Sequence, residues 1–201
     1  MTPAIFRLTP ARRTLLLIAA LFALPFTVAS ALYGFAWRPA RLANRGELIQ
    51  PPQALPENGL TDADGRPLPT AELRGKWTLV LLGKGECAAL CREQLQQMRQ
   101  VQVAQNKAMG RLRRVLLGES VAALAGDTGL PAIRQSYPDL LIAAPAPGSA
   151  GDAWRSALDG AAYRFYLVDP LGNVMMRYPE NAGMSGMRQD LERLLKYSWV
   201  G

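Results

Sequence analysis

The chain has 201 residues, 49% of them hydrophobic, with 23 basic and 16 acidic side chains, two cysteines and no histidine. That length suits one domain of about 150 residues with extensions and is too short for two independent cores. Six of the basic residues (Arg7, Arg12, Arg13, Arg38, Arg41 and Arg45) precede the first acidic one, Glu47, so the remainder is nearly balanced and lacks the basic face that nucleic-acid binding requires.

A short basic tail, 1–13, leads into 24 uncharged and mostly apolar residues, 14–37. At 1.5 Å per residue this stretch can cross a hydrocarbon core of about 30 Å. Pro25 is tolerated better in a membrane span than in a soluble helix, and Tyr33 and Trp37 fall where an interfacial aromatic belt would lie. A cleaved signal peptide has a related signature, and Ala29-Ser30-Ala31 resembles its cleavage site. Apolar character continues past that site to Trp37, which favours a retained anchor. Arginines flank both ends, so the positive-inside rule does not orient the span. A short N-terminus before one span and a large C-terminal domain nevertheless places that domain outside the cytoplasm. Arginine outnumbers lysine 19 to 4, the usage of a GC-rich bacterium, so the expected location is the inner membrane with the domain in the periplasm.

Residues 38–58 hold four prolines and little periodicity and read as a linker, followed by the domain at 59–201. Turn signals at Asp64-Gly65 and Arg74-Gly75 predict a short hairpin within 60–76. The run 77–83 predicts a strand buried on both faces. A helix is expected from Cys87 to about Met109, ended by Gly110, with Cys87, Cys91, Leu95 and Met98 along one stripe. Residues 113–120 predict a second buried strand, making 77–120 a βαβ unit. The Ala-, Gly- and Pro-rich region 121–160 gives little beyond a short helix near 128–136, and 143–152 reads as loop. Residues 163–179 predict an antiparallel hairpin turning at Asp169-Pro170-Leu171-Gly172, and 183–198 an amphipathic helix. No internal repeat at a solenoid period is present. The order β-α-β, a connecting region, then β-β-α is that of thioredoxin, and the cysteines fall where that fold keeps its chemistry.

Cys87 and Cys91 are four residues apart, which on a helix puts both thiols on one face about 6 Å apart. A structural staple, a redox couple and a metal clamp are all compatible with that spacing. As a staple, so short a loop supplies only about 2 kcal/mol. The positive end of the helix favours thiolate, more at Cys87 than at Cys91, with Lys84 assisting and Glu86 opposing. Zinc is disfavoured, because a closed site needs four cysteine or histidine ligands; Cu(I) accepts two thiolates. Met175, Met176, Met184 and Met187 could add thioether ligands but read better as core filling. Without histidine there is no Ser-His-Asp or Cys-His pair, and no phosphate-binding glycine motif is present.

The stretches LRGKWTLVLLGKGECAALC and FYLVDPLGNVMMRYP, in this order and closed by an amphipathic helix, resemble the Sco/SenC family over about residues 46–197. These are membrane-anchored thioredoxin-fold proteins linked to copper delivery during cytochrome c oxidase assembly. The resemblance implies an α/β, thioredoxin-like mixed sheet flanked by helices, with one N-terminal transmembrane helix. It implies Cys87 and Cys91 as redox pair or Cu(I) ligands, and a respiratory oxidase copper subunit or another periplasmic thiol protein as partner. The chain departs from the family at Ala88 and Arg92, where prolines are usual, and near Ala161, where a histidine ligand is usual. Losing the histidine shifts weight towards thiol–disulfide exchange, in which Cys87 attacks a partner disulfide and Cys91 resolves the mixed disulfide. A general periplasmic thiol–disulfide oxidoreductase without copper and a non-catalytic scaffold are the alternatives. Exchange at the surface requires both sulfur atoms to lie exposed where the helix begins.

Overall fold

The structure, a computed structural model, describes residues 9–35, 44–126, 129–158, 163–179 and 183–198. It divides into two units, Met1–Ala43 and Asn44–Gly201.

Among the described residues the first unit contains one helix, α1 (Pro10–Gly34), with a mean hydropathy of 2.4 over its most apolar window, long and apolar enough to cross a membrane. It starts four residues earlier than the apolar run because Pro10 sits at the first helical position, where its missing N–H has no partner to lose. Its threonine hydroxyls are satisfied internally: Thr14 Oγ1 donates to the Pro10 carbonyl and Thr27 Oγ1 to that of Leu24, as an apolar solvent demands. Trp37, expected at the interface, lies outside the described residues.

The second unit is an eight-stranded mixed sheet. Its strands are β1 (Glu47–Ala54), β2 (Leu60–Asp62), β3 (Pro67–Leu68), β4 (Trp77–Leu82), β5 (Leu112–Leu117), β6 (Leu140–Pro145), β7 (Phe165–Val168) and β8 (Asn173–Tyr178). The spatial order is β1-β8-β7-β4-β5-β6-β2-β3. Strands β4, β5 and β6 run parallel, and every other pairing is antiparallel. The helices are α2 (Ala89–Val103), α3 (Val121–Ala125), α4 (Gly129–Ser136), α5 (Ser149–Ala157) and α6 (Gly183–Tyr197). One apolar layer joins Leu79, Leu81 and Leu116 to Leu95 and Met98 of α2 and Met187 and Leu191 of α6. A second joins Val80, Val115 and Val168 to Trp154 of α5 and to Leu158. Helices therefore cover both faces, as a parallel centre requires.

The β7–β8 hairpin follows from its turn chemistry. Asp169 Oδ1 accepts from the N–H groups of Leu171 and Asn173, its Oδ2 accepts from Asn173 Nδ2, and Gly172 takes the φ of +95° the turn needs. The expected short hairpin at 60–76 is β2–β3, paired Leu60 to Leu68.

Three stretches differ from expectation. Within the linker expected at 38–58, residues 47–54 form β1, an edge strand on β8. Pro51 and Pro52 hid it, yet an edge tolerates prolines because its outer N–H groups need no ladder partner. The loop expected at 143–152 is instead the end of β6 and the start of α5. Ala143 and Ala144 are buried in β6, so a strand covered on both faces shows no alternation. The helix expected from Cys87 to Met109 is shorter. It runs from Ala89 to Val103, and a 3-10 segment, Asn106–Arg111, replaces its last turns.

Two buried charges tie the fold together. The Asp190 carboxylate of α6, 3% exposed, accepts the backbone N–H of Arg45 at 2.8 and 3.0 Å and that of Gly46 at 2.9 Å. The Arg114 guanidinium of β5 is fully buried, pairs with Asp139 and lies 5.8 Å from the Tyr137 ring centre.

Candidate functional site

Gly83 follows directly on β4, and Gly118 follows directly on β5. The two Leu-Leu-Gly sequences lie side by side because Leu81 pairs with Leu116 and Leu82 with Leu117. Beyond Gly83 the chain turns through Gly85, at φ +63°, and reaches Cys87. Ala88 caps α2 in extended conformation without a side-chain acceptor, and Cys91 lies in the first helical turn. Cys87 therefore stands just before the helix and Cys91 just inside it, with Cα atoms 5.0 Å apart, and the two form a disulfide. Ala88 and Arg92 stand where the resembled family has prolines. The Arg92 N–H donates to the Ala88 carbonyl at 3.0 Å, a helical bond a proline would abolish.

The first turn of α2 contains no acidic residue, so its unpaired N–H groups present an uncompensated positive end to the sulfur atoms. Lys84 and Glu86 are both exposed. The Lys84 carbonyl accepts from Tyr163 Oη at 3.0 Å, which ties the approach to α2 to the start of the hairpin. A groove of about 600 Å³ lies beside that helical turn, lined by Leu90, Gln94, Gln97, Tyr163 and Met184 among others.

The expectation of exposed sulfur atoms is overturned. Cys87 is 1% exposed and Cys91 is not exposed at all; both belong to the apolar layer that contains Leu95, Leu124 and Ile133. The physical reason is that both side chains join the apolar layer, to which α3 contributes Leu124. Leu124, fully buried, settles over the notch between the two strand-end glycines. A Cβ on Gly83 would come within 3.0 Å of it, and one on Gly118 would overlap it. Its carbonyl accepts the Cys87 N–H at 3.3 Å. Sequence reasoning missed Leu124, and the repeated Leu-Leu-Gly was the signal that could have pointed to its seat.

The expected metal ligands, Cys87 and Cys91, are bonded to each other, and among the described residues no cluster of three His, Cys, Asp or Glu side chains could hold a metal. Met176 and Met187 are buried in the core, Met175 packs against it, and Met184 is 39% exposed. Core filling thus accounts for three of the four. Ala161, on or near the position where the resembled family has its histidine, lies outside the described residues, and the sequence has no histidine to replace it.

No curated protein matches the chain. Several solved structures resemble it. The apo Sco1 protein from Thermus thermophilus is 15% identical, with a TM-score of 0.57 over 78% of this chain and 99% of that one. ScoI from Arabidopsis thaliana with copper bound is 16% identical, with a TM-score of 0.54 over 73% and 98%. BsSco, a Sco-family cytochrome c oxidase assembly protein in which a disulfide switch was identified, is 17% identical, with a TM-score of 0.52 over 76% and 100%. At these identities the likeness establishes the fold, a thioredoxin-like mixed sheet flanked by helices. The family described as "Transmembrane-like, thioredoxin-like, C-terminal domain" matches residues 77–198, from the first residue of β4 to just past the end of α6. The chain belongs to that family.

Proposed function

We propose that the chain is a membrane-anchored thiol–disulfide exchange protein that serves assembly of a respiratory copper oxidase, with its domain in the bacterial periplasm. The observation that carries this reading is the Cys87–Cys91 disulfide spanning the start of α2 at the carboxyl end of β4. An oxidising compartment is where such a bond persists, and α1 is a suitable anchor. The fold likeness to the Sco structures supplies the link to oxidase assembly.

In the reduced state, once the buried pair has opened to a partner, the Cys87 thiolate attacks one sulfur of the partner's disulfide and displaces the other as thiolate. The Cys91 thiolate then attacks Cys87 Sγ, closes the intramolecular bond and releases the partner's second thiolate. Two electrons pass to the partner, and a further dithiol protein must restore them. The bare helix end lowers the cost of the thiolate at each stage.

Two thiolates without an imidazole suit Cu(I) and not Cu(II), which prefers nitrogen ligands. Cu(I) fits only as cargo held between the reduced pair, a second reading favoured by the spacing of the two cysteines.

Equilibrating the full chain in detergent with thiol–disulfide buffers tests the first reading. A reversible two-electron couple between about −120 and −270 mV supports it; a bond still intact below about −300 mV makes the disulfide structural and overturns it. Anaerobic titration of the reduced chain tests the second. Uptake of one Cu(I), lost in Cys87→Ser and Cys91→Ser, supports cargo binding, and no uptake eliminates it.

A further inference from the structure

We propose that Leu124 decides what can react with the Cys87–Cys91 bond: it stoppers the disulfide, and exchange requires the α3 turn to swing away. The inference rests on reading that pair as an exchanging couple. A thiolate must approach a sulfur in line with the S–S bond, and sulfur atoms in residues 0–1% exposed offer no such line.

The closure is specifically built. Glycine follows both β4 and β5; a Cβ on Gly118 would overlap Leu124, and one on Gly83 would press tightly against it. The Glu86 side chain lies across Gly126, where any Cβ would collide with it, so the residue just before Cys87 and the residue just after α3 fit together as well. Gly126 takes a φ of +46°, which turns the chain away directly after the stopper.

The hold is nevertheless slight. Helix α3 has five residues. Its polar links run from the Ser120 hydroxyl, which accepts the Ala123 N–H within the turn itself, and to the Cys87 N–H, which donates to Leu124. A short segment held by one buried side chain opens at far less cost than the whole domain unfolds. A partner that draws Leu124 out would gain access while small thiols in the compartment are excluded. The same closure returns the oxidised pair to an apolar setting once the partner leaves.

The test is the rate at which a small thiol reduces the disulfide in the full chain in detergent, read as free thiols trapped by alkylation. Leu124→Ala should speed reduction at least tenfold. Gly118→Ala, which leaves the leucine in place but fills its seat, should do the same. Leu73→Ala, an equally buried leucine in the other apolar layer, should not. Rates in Leu124→Ala and Gly118→Ala equal to that of the unaltered chain would overturn the proposal, as would equal acceleration by Leu73→Ala. The unaltered chain provides an independent reading should a variant fail to fold. Its reduction rate should rise only weakly with urea below the unfolding transition, as local opening does. A dependence as steep as that of global unfolding would overturn the proposal. A stopper confirmed this way would stand even if the couple proved not to exchange electrons with any oxidase partner.

Discussion

Replacing Asp190 with asparagine tests whether the last helix holds the first residues of the domain. The carboxylate accepts the N–H groups of Arg45 and Gly46 at 2.8–3.0 Å, and Gly46 is buried against Met176 and Tyr178. Hydrogen bonds to a charged acceptor contribute about 1.5–3 kcal/mol each, and a buried donor left unpaired loses about 1–3 kcal/mol. Asparagine keeps one accepting oxygen and turns an N–H₂ group towards the second donor. The exposed position of Arg45 lets water compensate part of the loss, so about 2 kcal/mol is expected. For a domain of this size that lowers Tm by about 4–8 °C. The local consequence is sharper, because trypsin cuts after Arg45 only when the Arg45–Gly46 bond leaves its clamp. A loss of 2 kcal/mol raises the open population about thirtyfold. Mass analysis of early digests separates this cut from that at Arg41. An unchanged cleavage rate, or a Tm within about 1 °C of the parent, would refute the clamp. Burial and the Asp190 charge push the Tyr178 phenol up, so in the Asp190→Asn chain Tyr178 should ionise at lower pH in an ultraviolet titration.

Burial raises the Asp139 carboxyl, but the hydrogen bond and charge of Arg114 outweigh it and hold the group below its ordinary value of about 3.9. Its stabilisation is complete above that value and drains as pH falls towards the depressed one, so acid unfolding should begin later for the parent than for Asp139→Asn, measured by circular dichroism. At neutral pH Asp139→Asn should cost about 2 kcal/mol in urea denaturation. That is less than for a wholly buried pair, because Asp139 is half exposed. Arg114→Met should be neutral or stabilising, since Arg114 Nε and Nη1 are buried without partners among the described residues. Removing the disulfide by Cys87→Ala with Cys91→Ala should cost about 2–3 kcal/mol, a small loop-entropy term plus lost packing. A reductant should shift the urea midpoint of the parent and leave that of the double variant unmoved.

The sequence displays those elements whose own chemistry determines them. The β4 run, the Asp169 turn and the apolar stripe of α6 were legible because turn residues and periodicity act locally. Strand β1 was not, since prolines exclude it from a sheet interior but not from an edge. Strand β6 and α5 were obscured by alanine, glycine and proline, small residues used there because the layers pack closely. The cysteine spacing was compatible with a disulfide but equally with a reduced couple or a metal clamp. The burial of the pair was hidden because the layer that encloses it draws on residues remote in sequence, Leu124 among them, more than thirty residues away on a turn too short to show periodicity.

The outermost strand has a consequence for biosynthesis. Glu47 of β1 forms its ion pair with Arg177, 130 positions later. At about 5–20 residues per second, the nascent strand waits on the order of ten seconds for the hairpin that will receive it. During that interval its backbone could recruit a neighbouring chain, and Pro51 and Pro52 interrupt the row of N–H groups such recruitment would use. The residues that disguise the strand thus protect it on the ribosome until its own partner has been made.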